Sequence, residues 1–429
     1  MRPPRRSLGA IRAGLLLAAQ AACLAAQVPP PRIQLPPKKA PVFPVIAMAP
    51  QAVAAGKALA RLDVRGAREY AAGHATGAVR LDLGEIARAC PEPEPACLRA
   101  ALGSAGVSAA APVVLFAADL ETAARAFFLL EAAGCRIVRI AGGGFSAWQA
   151  AKMPVERRAR KASPQPFGAP AERIAVLEAP AVLVRLGDRD FEALDLRDGG
   201  DWTANGDQAP ALFAAGHVPR SLPWDPRGGL PADGSLPEPR AARAAFERLG
   251  PRADQVVDPQ ATFALVGAGA SDPRAALAYL RLRSMGLEAR VVRGGFAAWQ
   301  AAGLPVVRIV AAAQVFALLD PAELAGNRLP DRVAILDLRE LADYEEGHVP
   351  GAAVLPLRLL DTAGLEAAVS GRWPRFDRAT APLVLYCDGH DCIRGRDAAA
   401  IAARAGFGNV LWFREGMPAW REAGYPVAR

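Results

Sequence analysis

One series of short motifs recurs three times along the 429 residues, and this recurrence limits the available folds more than any single residue does. Leu62-Asp63-Val64-Arg65, Leu194-Asp195-Leu196-Arg197 and Leu336-Asp337-Leu338-Arg339 each set an aspartate and an arginine at the end of an apolar run. A Gly-His pair follows each of them, Gly73-His74, Gly216-His217 and Gly347-His348, the last continuing as Val349-Pro350-Gly351-Ala352. Each copy then ends on a glycine turn and a tryptophan: Gly142-Gly143-Gly144 with Trp148, Gly294-Gly295 with Trp299, and Gly416 with Trp420. A Pro-Val pair closes each copy at 154–155, 305–306 and 426–427. The tryptophans lie 151 and 121 residues apart, which are whole-domain periods and not those of a solenoid. A chain of this length divides naturally into units of that size.

Within a copy the pattern is α/β. In the third, Val333–Leu336, Leu383–Tyr386 and Val410–Phe413 read as buried strands, and the Ala-rich run from Asp397 to Arg404 reads as a helix closed by Gly406. Strands alternating with helices predict a parallel sheet flanked by helices, with sites in the loops after the strands' carboxyl ends. Cys387 falls in such a loop, followed by Asp388, Gly389, His390, Asp391, Cys392, Ile393 and Arg394. Loop amides and a helix N-terminus lower a thiol's pKa and attract anions. A thiolate there is a nucleophile, a persulfide carrier, or both.

The order Asp-x-Arg, Gly-His-x-x-Gly-Ala, Tyr-Cys loop and glycine turn before Trp resembles the rhodanese (sulfurtransferase) superfamily over nearly everything after the N-terminal segment. The resemblance implies three tandem rhodanese-like domains at 49–156, 171–307 and 308–429, with a linker at 157–170. Aligned by spacing, Cys387 stands 19 residues before the helix-closing Gly406, Gly267 stands 19 before Gly286, and Ala117 stands 17 before Gly134. Only the third copy therefore keeps a cysteine at the nucleophile position. The Asp-x-Arg and Gly-His residues occur in copies without that cysteine, so they read as structural, His74, His217 and His348 as fixing a turn.

A sulfurtransferase at this site would take sulfane sulfur from a small sulfur-containing anion or a persulfide donor, hold it on Cys387, and pass it to a thiol acceptor or reductant. Gly389 in the loop, His390 and Arg394 are the candidates for donor binding, Arg394 because a guanidinium matches oxyanions bidentately. A salt bridge from Arg394 to Asp388 or Asp391 is the alternative. Those two carboxylates would raise the thiol's pKa and repel a dianion, which argues against thiosulfate as the donor. Cys392 is placed to resolve a persulfide or to close a disulfide with Cys387. Two other readings compete: a non-enzymatic sulfur or redox-binding protein using the Cys387/Cys392 dithiol, and a cysteine-dependent phosphatase or arsenate reductase. For the latter, Arg394 lies one position beyond the C-x5-R spacing. No metal or cofactor is expected.

Composition is that of a globular protein, 52% hydrophobic and 22% charged. The formal charge of +8 comes from scattered arginines without a recognition motif, so nucleic acid is not an expected partner. Arg2, Arg5, Arg6 and Arg12 precede an apolar stretch from Ala13 to Ala26, the layout of a secretory signal peptide (1–26) ahead of a Pro-rich tether (27–48). No later stretch has the length of a membrane span. The expected location is periplasmic or secreted. In an oxidising compartment Cys90 and Cys97 are expected to form a local disulfide, the alternative being two solvent-facing thiols, and Cys135, at the start of a predicted strand, to be a buried inert thiol. The inserts Asp198–Phe213 and Pro223–Glu238 in copy two read as loops.

Overall fold

The computed structural model describes residues 43–429, apart from 57, 169, 171–173, 198–215, 250–256, 259, 320–331, 390, 391 and 393. The expected signal peptide, residues 27–42 of the expected tether, and the first copy-two insert lie outside the described residues.

Three five-stranded parallel sheets are built by one topology. The first contains β1 (Ala47–Met48), β2 (Ala60–Asp63), β4 (Val79–Arg80), β5 (Val113–Phe116) and β6 (Val138–Ala141); β3 (His74–Ala75) and β7 (Val155–Glu156) form a separate antiparallel ladder. The second contains β8 (Val176–Leu177), β9 (Phe191–Asp195), β10 (Leu222–Pro223), β11 (Thr262–Val266) and β12 (Glu288–Val292). The third contains β13 (Val306–Ile309), β14 (Ala334–Asp337), β15 (Ala353–Val354), β16 (Leu383–Tyr386) and β17 (Asn409–Phe413). The spatial orders β1-β6-β5-β2-β4, β8-β12-β11-β9-β10 and β13-β17-β16-β14-β15 are the same permutation. The central strands β5 and β16 are buried along their whole length, as Val- and Leu-rich runs must be when helices cover both faces of a parallel sheet.

The repeated motifs are each unit's internal bracing. Arg65 Nη2 donates to Asp63 Oδ2 at 2.6 Å and to the Gly73 carbonyl at 2.8 Å. Arg197 does the same to Asp195 and Gly216, at 2.6 and 3.0 Å, and Arg339 to Asp337 and Gly347, both at 2.7 Å. The carboxylates are fully buried, so the paired, bidentate arginine is what makes their burial tolerable. The tryptophan–proline pairing has an equally local cause. Trp148, Trp299 and Trp420 each donate their indole N–H to the carbonyl of Pro154, Pro305 and Pro426, at 2.9, 2.8 and 2.7 Å. The residues after each proline then pair antiparallel with the Gly-His segment, at His74–Glu156, His217–Val307 and His348–Ala428.

The second and third units share a segment. Val307 bridges His217 of the second unit while β13, to which it belongs, is the outer strand of the third sheet. Units one and two share a continuous apolar cluster across the helices Leu120–Ala133 and Pro273–Ser284. There buried Glu131 accepts from Tyr279 Oη at 2.8 Å and Arg283 Nε at 3.2 Å. Phe167, in the expected linker, is buried in the same cluster.

Local differences from the sequence reading have simple reasons. The helix after Cys387 begins at Arg394, not at Asp397. Cys135 lies in the turn after a helix that ends on left-handed Gly134, and the strand starts only at Val138. It is still a buried thiol, pushed up to about 12 by burial and by the neighbouring Glu131 charge. The second copy-two insert begins on β10, so Pro223 sits on a sheet edge, where a missing N–H is tolerated. Cys90 and Cys97 are joined in a disulfide. Among the described residues no helix is long and apolar enough to cross a membrane.

Candidate functional site

Cys387 emerges from the central strand of the third sheet with 1% of its surface exposed. Its carbonyl accepts from Met417 N–H at 3.1 Å, and Gly416, at φ +58°, lies so close to that carbonyl that any Cβ would collide with it. The loop turns through Gly389, whose φ of +130° favours glycine, and Cys392 N–H donates to the Gly389 carbonyl at 3.0 Å. That turn brings Cys392 back to Cys387, and the two are joined in a disulfide with their Cα atoms 6.6 Å apart. Arg394 opens the following helix and pairs with Asp388 at 3.2 Å, both partly exposed at the mouth of the loop. The structure thus brings together Cys387, Gly389, Cys392 and Arg394. His390 lies outside the described residues.

Gly144 and Gly295 repeat the Gly416 contact, at φ +61° and +56°, against the carbonyls of Ala117 and Gly267. Ala117, Gly267 and Cys387 therefore occupy equivalent positions. In the second unit Asp272 fills the space a side chain would take. A Cβ on Gly267 would lie 2.9 Å from the Asp272 Cβ, and Asp272 Oδ2 accepts from Ala268 N–H at 2.7 Å. Arg274 neutralises that carboxylate at 2.9 Å, and together with the loop N–H groups it holds the group below the usual carboxylate range against the opposing effect of burial.

Three features of the site were missed by sequence reasoning. Tyr386, directly before Cys387, donates its hydroxyl to buried Asp337 at 2.6 Å and accepts from Val349 N–H at 3.1 Å. Burial, reinforced by the Asp337 charge, raises its pKa well above the ordinary phenol value. Phe116 and Val266 hold its place in the other units, so the contrast Phe, Val, Tyr was the available signal. The second is Asp272. The third is the docking of the Arg394–Arg404 helix on the second unit, which no local pattern announces.

His74 and His348 are structural in their contacts. His74 and His348 stack on Tyr70 and Tyr344 at 3.8 and 3.7 Å, and their Nδ1 atoms lie 2.9 Å from those tyrosines' carbonyls. Burial lowers the pKa of His348 and lowers that of His217 strongly. Among the described residues no group of three or more His, Cys, Asp or Glu side chains is arranged to hold a metal ion.

The family model for the rhodanese-like domain matches residues 49–151 and 320–423. A sulfurtransferase of Allochromatium vinosum is 32% identical over 107 residues, which is 24% of this chain and 89% of that protein. The chain belongs to the rhodanese-like family. Other relatives are longer than the region they share with it. The 3-mercaptopyruvate sulfurtransferase of Escherichia coli is 28% identical over 166 residues, 37% of this chain and 59% of that protein. An HTH-type transcriptional regulator of Mycobacterium tuberculosis is 38% identical over 106 residues, 25% of this chain and 42% of that protein. The chain spans about half the length of these two relatives. The two matched segments of this rhodanese-like chain are those around Ala117 and Cys387, and its middle sheet repeats their strand order without being matched.

Proposed function

We propose that this chain is a sulfurtransferase that carries sulfane sulfur as a persulfide on Cys387, and that its middle sheet is a third, diverged rhodanese-like unit. The observation that carries the reading is the position of Cys387: a cysteine at the carboxyl end of the central strand, held by the Gly416 turn, where the other two units have Ala117 and Gly267. Units one and two then act as structural or binding modules.

Catalysis begins with reduction of the Cys387–Cys392 disulfide by a dithiol, which leaves as its own disulfide. The Cys387 thiolate attacks the outer sulfur of a donor R–S–SH, the S–S bond breaks, and R–S⁻ departs. An acceptor thiolate takes the outer sulfur and regenerates the Cys387 thiolate. Without an acceptor, the Cys392 thiolate attacks the Cys387 sulfur of the persulfide, releasing hydrosulfide and restoring the disulfide. Arg394 orients an anionic donor once Asp388 yields its guanidinium, and the Asp388 charge disfavours dianions such as thiosulfate. Export to the periplasm, from the leader at 1–26, would make a supply of reductant necessary for turnover.

The test is cyanide-dependent thiocyanate formation from a polysulfide donor under reducing conditions. Wild type turns over and Cys387→Ser does not; equal rates in the two proteins would sink the proposal. The disulfide itself favours a second reading, a redox-binding protein using the same dithiol. That reading predicts reversible oxidation of the pair without thiocyanate from either protein.

A further inference from the structure

Arg220 has a backbone conformation that its counterparts adopt with glycine. Three residues after each Gly-His histidine the chain turns through a positive φ: Gly77 at +82°, Gly351 at +76°, and in the second unit Arg220 at +61°. A non-glycine residue held there is strained, so such a position calls for a compensating role. The compensation lies on the neighbouring unit. Arg220 Nε donates to Asp397 Oδ1 at 2.8 Å, and its Nη1 pairs with Glu192 of β9 at 3.2 Å. Its carbonyl accepts from Arg396 Nη2 at 2.6 Å and Nε at 3.1 Å, and Arg396 Nη2 also donates to Glu192 Oε2 at 2.9 Å. Arg396 is buried and Arg220 and Glu192 are mostly covered, with Asp397 at the exposed edge, so this four-residue network is partly buried and not a surface ion pair.

Arg396 and Asp397 belong to the first turn of the helix that ends the Cys387 loop. In the same turn Gly395 is pressed against the Trp412 indole, leaving no room for a side chain. One end of the loop is fixed by β16, the other by this turn, and only 387–393 span the interval. We propose that Arg220 and Glu192 of the second unit are positioning residues for the Cys387 loop. By clamping the first turn of the Arg394–Arg404 helix they set the separation of Cys387 from Cys392 and the place of Arg394. The effective concentration of one thiol at the other is then partly set by a unit that has no nucleophile of its own. The site is the one already proposed for sulfur transfer, but the clamp can be tested without any sulfur donor.

Arg220→Gly removes the side chain while giving the turn the residue its two counterparts carry, so the variant is expected to fold. The measurement is the Cys387/Cys392 thiol–disulfide equilibrium against a dithiothreitol redox series, read by thiol alkylation and mass. Arg220→Gly is expected to lower the disulfide equilibrium constant about tenfold, or about 30 mV for two electrons. Glu192→Gln is expected to shift it in the same direction, and Arg220→Lys, which keeps a cation, to recover part of the loss. Arg293→Ala breaks pairs to Glu94 and Glu178 away from this helix and is expected to leave the equilibrium at the wild-type value. A wild-type equilibrium in Arg220→Gly, or an equal shift in Arg293→Ala, would overturn the proposal. Absence of thiocyanate formation in every protein would refute the sulfurtransferase reading and leave this result standing.

Discussion

Tyr386→Phe isolates the polar connection beneath Cys387. The substitution leaves the ring, and Phe116 shows that a phenyl group packs at the equivalent place, so the change is confined to two hydrogen bonds. The bond to Asp337 Oδ2, a carboxyl paired with Arg339, is of the charge-assisted kind and contributes about 1.5–3 kcal/mol, whereas an orphaned buried N–H costs about 1–3 kcal/mol. Asp337 keeps its bonds from Arg339, at 2.7 and 3.2 Å to the same oxygen, so the carboxylate itself is not stranded. Val349 N–H is stranded, because the residue is fully buried and the hydroxyl is its acceptor. The expected loss is about 3 kcal/mol, which at a urea dependence of about 2 kcal/mol per molar moves the third unit's midpoint down by about 1.5 M. Urea titration followed by tryptophan fluorescence reads this through Trp412 and Trp420. A shift below about 0.3 M would show that the hydroxyl contributes little, and that the reasoning about its two partners is wrong.

Other outcomes follow from the same geometry. His217 and His348 have pKa values lowered by burial from an ordinary value near 6.5, so unfolding takes up protons below that pH. Stability is retained above pH 6.5 and falls as pH drops toward the folded-state values, by up to about 1.4 kcal/mol per pH unit for each histidine. Urea midpoints from pH 8 to 5, compared with those of His217→Gln, check the slope; identical slopes would contradict it. Gly416→Ala forces a Cβ onto the Cys387 carbonyl at a positive φ, and is expected to destabilise the third unit by about 3 kcal/mol or more in the same titration. Cys392→Ser is expected to prolong the Cys387 persulfide and to abolish acceptor-free sulfide release, which a sulfide electrode would record.

The fold was legible because the repeated residues are the ones that brace it. Asp-x-Arg reads as a strand end since the arginine must return to the buried aspartate, and Trp precedes Pro by six residues since the indole reaches that carbonyl. The equivalence of Ala117, Gly267 and Cys387 was visible in their spacing to the helix-closing glycines, and the shared contact with Gly144, Gly295 and Gly416 gives it a physical basis. What stayed hidden depends on contacts distant in sequence. Asp272 reads locally as a helix cap, and only the folded loop shows it filling the space beside Gly267. Arg220 pairs with Asp397 across 177 residues, and its one sequence trace is an arginine where Gly77 and Gly351 stand. The sharing of β13 was hidden for a related reason: Pro305-Val306 closes the second copy by the motif, yet Val306 already begins the third sheet.

Whether Cys387 carries sulfur is decided by the intact mass of the reduced protein after exposure to a polysulfide, with Cys392→Ser, which cannot resolve the persulfide, beside the double variant Cys387→Ser/Cys392→Ser. A gain of about one sulfur mass is expected on Cys392→Ser and not on the double variant. No gain on Cys392→Ser, or an equal gain on both proteins, would show that the sulfur is not held on Cys387.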